Sequence, residues 1–126
     1  MHYHIAPIVP PPESVRIKLS RGTPLYEGTT FSLTCTITPN RTGVDTGFMV
    51  TVPTFSGPGA PTPSGVTMTT DMEFQTILSF ISSNPLATSN AGTFTCSAIV
   101  VSAQVSNVDP SDANMTEVEV NVTSKQ

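Results

Sequence analysis

Three observations predict an all-β fold, a sandwich of two antiparallel sheets. Residues 29–35, Thr-Thr-Phe-Ser-Leu-Thr-Cys, alternate so that Phe31, Leu33 and Cys35 share one strand face. Residues 92–101 alternate in the same way, with Phe94, Cys96, Ala98 and Val100 on one face. Two inward-facing cysteines on separate alternating strands are what a disulfide between two packed sheets requires. The third observation is compositional. Helix formers are scarce, β-branched residues are abundant and 12 prolines punctuate the chain, so local propensity agrees with the pattern.

The elements follow in order. Residues 1–13 read as a tail or linker, with Pro10, Pro11 and Pro12 as an extended, semi-rigid lead-in to a single domain over residues 14–124. A first strand over residues 14–20 places Val15, Ile17 and Leu19 against polar neighbours, and resumes after a kink near Pro24. Residues 29–38 form the clearest strand. The next strand ends at Phe55, where Ser56-Gly57-Pro58 leads directly into a turn, and Phe48 stands seven residues before it. Val50 and Val52 then face the opposite way. Pro53 in the same stretch counts against a fully paired central strand.

The Pro/Gly-dense residues 57–65 leave room for one short strand (66–70). A strand over 73–81 has Phe74, Thr76, Leu78 and Phe80 inward, and Leu86 packs at the following corner. The last strand, about 115–123, has Val118, Val120 and Val122 inward. Between residues 102 and 114 runs a long polar loop. That makes seven or eight short strands at the spacing of a two-sheet sandwich.

Charge excludes some functions. The net charge of −4 and only five Lys and Arg argue against nucleic acid, whose phosphates need clustered basic groups. Arg16, Lys18 and Arg21 cluster near the N-terminus, as expected of a charge-protected edge strand or, alternatively, an anion site. No apolar run approaches the length of a membrane-spanning helix, so direct membrane insertion is not expected. Just 11% of residues are charged, while Ser and Thr make up 34 of 126, so hydroxyls supply the solubility. That style is common on secreted and cell-surface modules.

Gly28 before the first cysteine strand, Gly92 before the second, and Ala91-Gly92-Thr93-Phe94-Thr95-Cys96 complete a pattern that resembles the immunoglobulin fold over about 110 of 126 residues. The resemblance implies a Greek-key sandwich without the extra pair of strands of variable-type domains, hence no C″ strand. It also implies a disulfide between Cys35 and Cys96, with a phenylalanine in place of the family's core Trp: Phe48 lies nearer the usual distance from Cys35, but Phe55, followed by a turn as that Trp is, is favoured. Phe94 stands where the family has a Tyr whose hydroxyl bonds back to the backbone. Asn90 stands where it prefers an Asp held in a salt bridge. The motifs Pro24-Leu25-Tyr26-Glu27-Gly28, Leu33-Thr34-Cys35-Thr36-Ile37-Thr38 and Phe55-Ser56-Gly57-Pro58 look like immunoglobulin modules of sponge cell-surface proteins, a receptor tyrosine kinase ectodomain among them. Any kinase chemistry would lie elsewhere in such a precursor. Residues 1–12 lack the basic head and long apolar stretch of a signal peptide, which suggests a piece of a longer protein.

No catalytic constellation is expected. His2 and His4 lie in the tail, the cysteines are assigned to a disulfide, and the nine acids are scattered. Neither a metal nor an organic cofactor is expected, since Asp109 and Asp112 alone offer too few oxygens for calcium. Three sequons place candidate glycosylation at Asn40, Asn114 and Asn121, and Asn40 reads as the best acceptor because it lies in a loop. The expected function is an extracellular recognition or adhesion module, part of a cell-surface protein or freely secreted. A protein partner or a second copy would bind at the loop end formed by residues 40–46 and 102–114, or on the sheet carrying the second cysteine. Gln104, Asn107, Asp109 and Asp112 are the candidate contact residues. The rival reading is a structural spacer, favoured by the low aromatic content.

Overall fold

The computed structural model describes residues 9–40, 49–102 and 109–125. The alternating segments become strands β1 (Ser14–Leu19), β2 (Leu25–Tyr26), β3 (Phe31–Thr38), β4 (Met49–Ser56), β5 (Thr67–Met68), β6 (Phe74–Phe80), β7 (Gly92–Ser102), β8 (Asn114–Val120) and β9 (Val122–Thr123). One sheet has the order β1-β3-β6-β5 and the other β4-β7-β8, with every pair antiparallel. The architecture is an immunoglobulin-like β-sandwich.

Nine segments arise from seven strands because two strands are interrupted. The first strand breaks between Leu19 and Leu25, across Gly22 and Pro24. Its first half pairs with β3 and its second half pairs in parallel with β9, so the strand changes partners along its length. The last strand, expected to be continuous, breaks at Asn121. Strand β3 also starts at Phe31 rather than Thr29, because the Thr29 carbonyl accepts from the Leu86 N–H at 3.0 Å and ties the strand end to the opposite corner.

Residues 9–13 of the lead-in lie against the domain. Val9 and Pro12 are buried, and the Glu13 N–H donates to the Thr38 carbonyl at 2.7 Å. Phe48, the rejected alternative to Phe55, lies outside the described residues.

Burial follows the alternation. On β3, Phe31, Leu33, Cys35 and Ile37 are buried, and on β7 Phe94, Cys96, Ala98 and Val100 are. Cys35 and Cys96 form the disulfide between the sheets, with Cα atoms 6.4 Å apart. Phe55 is buried on β4 directly opposite Cys96, so it stands beside the bridge. Phe31 stacks near Phe80 with centroids 6.4 Å apart, and Phe80 meets Phe94 edge to face at 6.3 Å. Three rings thus run through the interior in geometries that aromatic quadrupoles favour.

Candidate functional site

The inward set fixes the outward one, since strand side chains alternate. With Thr51 and Phe55 inward, Val50 and Val52 face out from β4 and are 43% and 42% exposed. With Ala98 and Val100 inward, Ile99 and Val101 face out from β7. Register then brings the two strands together: Val50 stands opposite Val101, and Val52 opposite Ile99. On β8, Met115 faces out opposite Ser97 and is 49% exposed. Three strands at about 4.8 Å spacing, and two steps of about 6.8 Å along them, make an apolar patch roughly 10 by 14 Å between Cα positions.

The rest of that face is polar. Thr54, Ser56, Thr93, Thr95 and Ser97 present hydroxyls, and β8 adds Glu117 and Glu119, both exposed. The Thr93 hydroxyl donates to the Glu119 carboxylate. No Lys or Arg occurs on β4, β7 or β8. The face is therefore apolar at the end where β4 begins and β7 finishes, and acidic at the other end.

The outer face of the other sheet has a different character. Ser32, Thr34, Thr36 and Thr38 of β3 run between Arg16 and Lys18 of β1 and Gln75 of β6. Arg16 donates to the Ser14 hydroxyl at 2.7 Å, the Thr38 hydroxyl at 2.9 Å and the Glu73 carboxylate at 3.0 Å. Thr38 donates to the same carboxylate. These contacts, the Thr38 hydroxyl first and the Arg16 guanidinium second, hold the Glu73 carboxyl below its ordinary value of 4.5. Arg16 is thereby committed to an ion pair, which takes the first member out of the basic cluster near the N-terminus.

The other candidate residues fall in several places. Asp109 and Asp112 are exposed, while Ser111 between them is buried and pins the loop. Its hydroxyl accepts from the Val100 N–H at 2.6 Å, and its own N–H donates to the Val100 carbonyl at 2.8 Å. Gln104 and Asn107 lie outside the described residues, as does most of the opposing loop. Asn40 is half-buried and has a partner, and the rest of its sequon lies outside the described residues. Asn114 faces inward opposite Ala98, whereas Asn121 is exposed. Among the described residues, no three His, Cys, Asp or Glu side chains lie close enough to hold a metal ion.

Comparison with known protein families, curated proteins and solved structures gives no match for this chain.

Sequence reasoning saw that Val50 and Val52 face away from the core but did not join them to β7 and β8. Register supplies that link. Asn90, read as a weakened Asp, is a buried tie. Its Oδ1 accepts from the Ala87 N–H at 2.8 Å, and its Nδ2 donates to the Pro58 carbonyl at 2.9 Å. No alternation signals such a residue, because its partners are backbone groups, one in its own turn and one 32 residues away.

Proposed function

We propose that this chain is an immunoglobulin-superfamily recognition module from the extracellular part of a receptor or adhesion protein, without catalytic activity of its own. The outer face of β4-β7-β8 carries this reading. An apolar patch rimmed by hydroxyls resembles the core-and-rim layout of a protein interface. The carboxylates at one end, with no basic group on the three strands, favour a partner that sets an apolar surface on the patch and Lys or Arg beside Glu117 and Glu119. An isologous pair of these faces would bring four carboxylates into one interface with no cation from the strands, so a different protein fits better than a second copy. The interior disulfide and the hydroxyl-rich composition support an oxidising, extracellular setting.

Multimerised domain applied to cells displaying candidate partners should give saturable binding. Val52→Lys should abolish it and salt should weaken it. Unchanged binding by a folded Val52→Lys variant would remove the face from the proposal. Sedimentation across concentration separates the rivals: association lost in Val52→Lys marks a homophilic module, and a strict monomer that binds no cell marks a spacer.

A further inference from the structure

Of the two sequons that lie wholly within the described residues, the geometry points to Asn121 as a glycan acceptor of the folded domain, and against Asn114. This inference rests on the reading that the domain matures in the secretory pathway. Asn121 sits at the one-residue break between β8 and β9, exposed, and its side chain makes no hydrogen bond among the described residues. The inward positions around it are Val118, Val120 and Val122, so Asn121 projects from the same outer face as Glu117 and Glu119. Thr123, the hydroxyl residue of its sequon, is exposed two positions on.

Asn114 is built differently. Its strand partner is the buried Ala98, so it points inward and is half-buried. Its Nδ2 donates to the Pro12 carbonyl at 3.1 Å, and its Oδ1 accepts from the Met115 N–H at 2.8 Å. The same nitrogen that a sugar would take thus fastens the lead-in to β8. A chain glycosylated at Asn114 before folding would have to close that seam over a bulky, solvated oligosaccharide, so it is not expected among folded molecules.

Placement also bears on the proposed recognition face. Val120 stands opposite Gly92, whereas the apolar patch lies at Ile99 and Val101. About eight residues at 3.4 Å each separate them, roughly 27 Å along β7. A glycan at Asn121 would stand at the acidic end, next to the Glu117 and Glu119 that the proposed partner would meet, and away from the apolar patch. In the modifying step the Asn121 amide nitrogen attacks the anomeric carbon of a lipid-diphosphate-linked oligosaccharide. A C–N bond forms, the C–O bond to the diphosphate breaks, the lipid diphosphate departs and the amide gives up one proton to base.

The test is to direct the full chain through the secretory pathway of a glycosylating eukaryotic cell and treat the secreted protein with peptide N-glycosidase in heavy-oxygen water. Asn121 should be recovered as labelled Asp and Asn114 as unlabelled Asn. Asn121→Gln and Thr123→Ala should each remove one glycan from the intact mass, Thr123→Ser should retain it, and Asn114→Gln should leave the mass of attached sugar unchanged. Secreted, disulfide-closed protein that is unlabelled at Asn121, or labelled at Asn114 to the same extent, overturns the assignment while leaving the recognition reading in place. A chain that cannot close its disulfide in that compartment overturns both.

Discussion

Two places in the molecule are held together by unlike means. At the centre, the Cys35–Cys96 bridge stands among Leu33, Phe55, Leu78 and other fully or nearly fully buried side chains. At the corner below β7, the join runs through Gly57, Pro58, Gly59 and Asn90. There Asn90 links the Ala87 N–H to the Pro58 carbonyl, Gly57 lies so close to the Phe94 ring that a Cβ would overlap it, and a Cβ on Gly59 would meet Asn90 Nδ2 at 2.8 Å. The centre depends on how much is buried, and many side chains share the load. The corner depends on what is absent, two β-carbons, and on one amide that both donates and accepts. A centre of that kind should degrade by degrees, and the corner should fail at single atoms.

Loss of the disulfide and truncation of Phe55 should have the largest effects. Replacing both cysteines by Ala should cost about 4 kcal/mol from the loop they close in the chain-entropy view, and Phe55→Ala about 3–5 kcal/mol. Denaturant melts of the purified domain measure both. Cost below about 1 kcal/mol for Phe55→Ala would mean that the ring does not support the bridge.

Gly57→Ala adds one methyl group yet should cost about 1–3 kcal/mol, because the Phe94 ring must move. Coupling identifies the cause: with Phe94→Leu in place, the penalty of Gly57→Ala should shrink. Strict additivity in the double-mutant cycle would locate the strain elsewhere.

For Asn90→Asp we expect a loss near 2 kcal/mol at neutral pH. The change keeps the acceptor for the Ala87 N–H but sets a carboxylate oxygen against the Pro58 carbonyl. Part of the loss should return in acid, where a protonated carboxyl can donate. A variant as stable as the parent would show the corner amide to be dispensable.

The smallest effect belongs to the surface. Because folding lowers the pKa of Glu73, its contribution is present above the ordinary value of 4.5 and fades as pH falls through the lowered one. Glu73→Gln should therefore flatten the acid side of the stability profile and leave the alkaline side alone. An unchanged acid limb would show that the Arg16–Glu73 pair contributes nothing measurable, as many exposed pairs do.

The contrast between centre and corner also separates what could be read from the chain. Alternation at Phe31, Leu33 and Cys35, and at Phe94, Cys96 and Ala98, announces a buried face, because period two is a property of one strand by itself. It located the strands to within a few residues, whereas the place of Phe55 beside the bridge was implied by the family resemblance. The break at Asn121 and the late start of β3 at Phe31 escaped it, since both depend on hydrogen bonds to distant segments. For the candidate site, Val50 and Val52 were legible as outward residues. Their union with Ile99, Val101 and Met115 was not, because register between strands is a tertiary quantity. Among the sequons, the sequence preferred Asn40 for its loop and read Asn121 as outward between Val120 and Val122; it did not show that the Asn114 amide is taken up by the Pro12 carbonyl, because that contact joins residues 102 positions apart.

Pro53 has a consequence for how this domain can meet other chains. It sits in the middle of β4, which has β7 on one side and, among the described residues, no strand on the other. An eight-residue border of this kind is the sort of template on which a foreign strand could add and start a growing fibre. A proline there leaves a missing donor in the border's run of amides and a ring where a neighbouring backbone would lie. Strand addition would stall at the fifth residue of β4. Recognition of the kind proposed for the flat side of this sheet would then be left to side chains, with the backbone of the rim kept out of it.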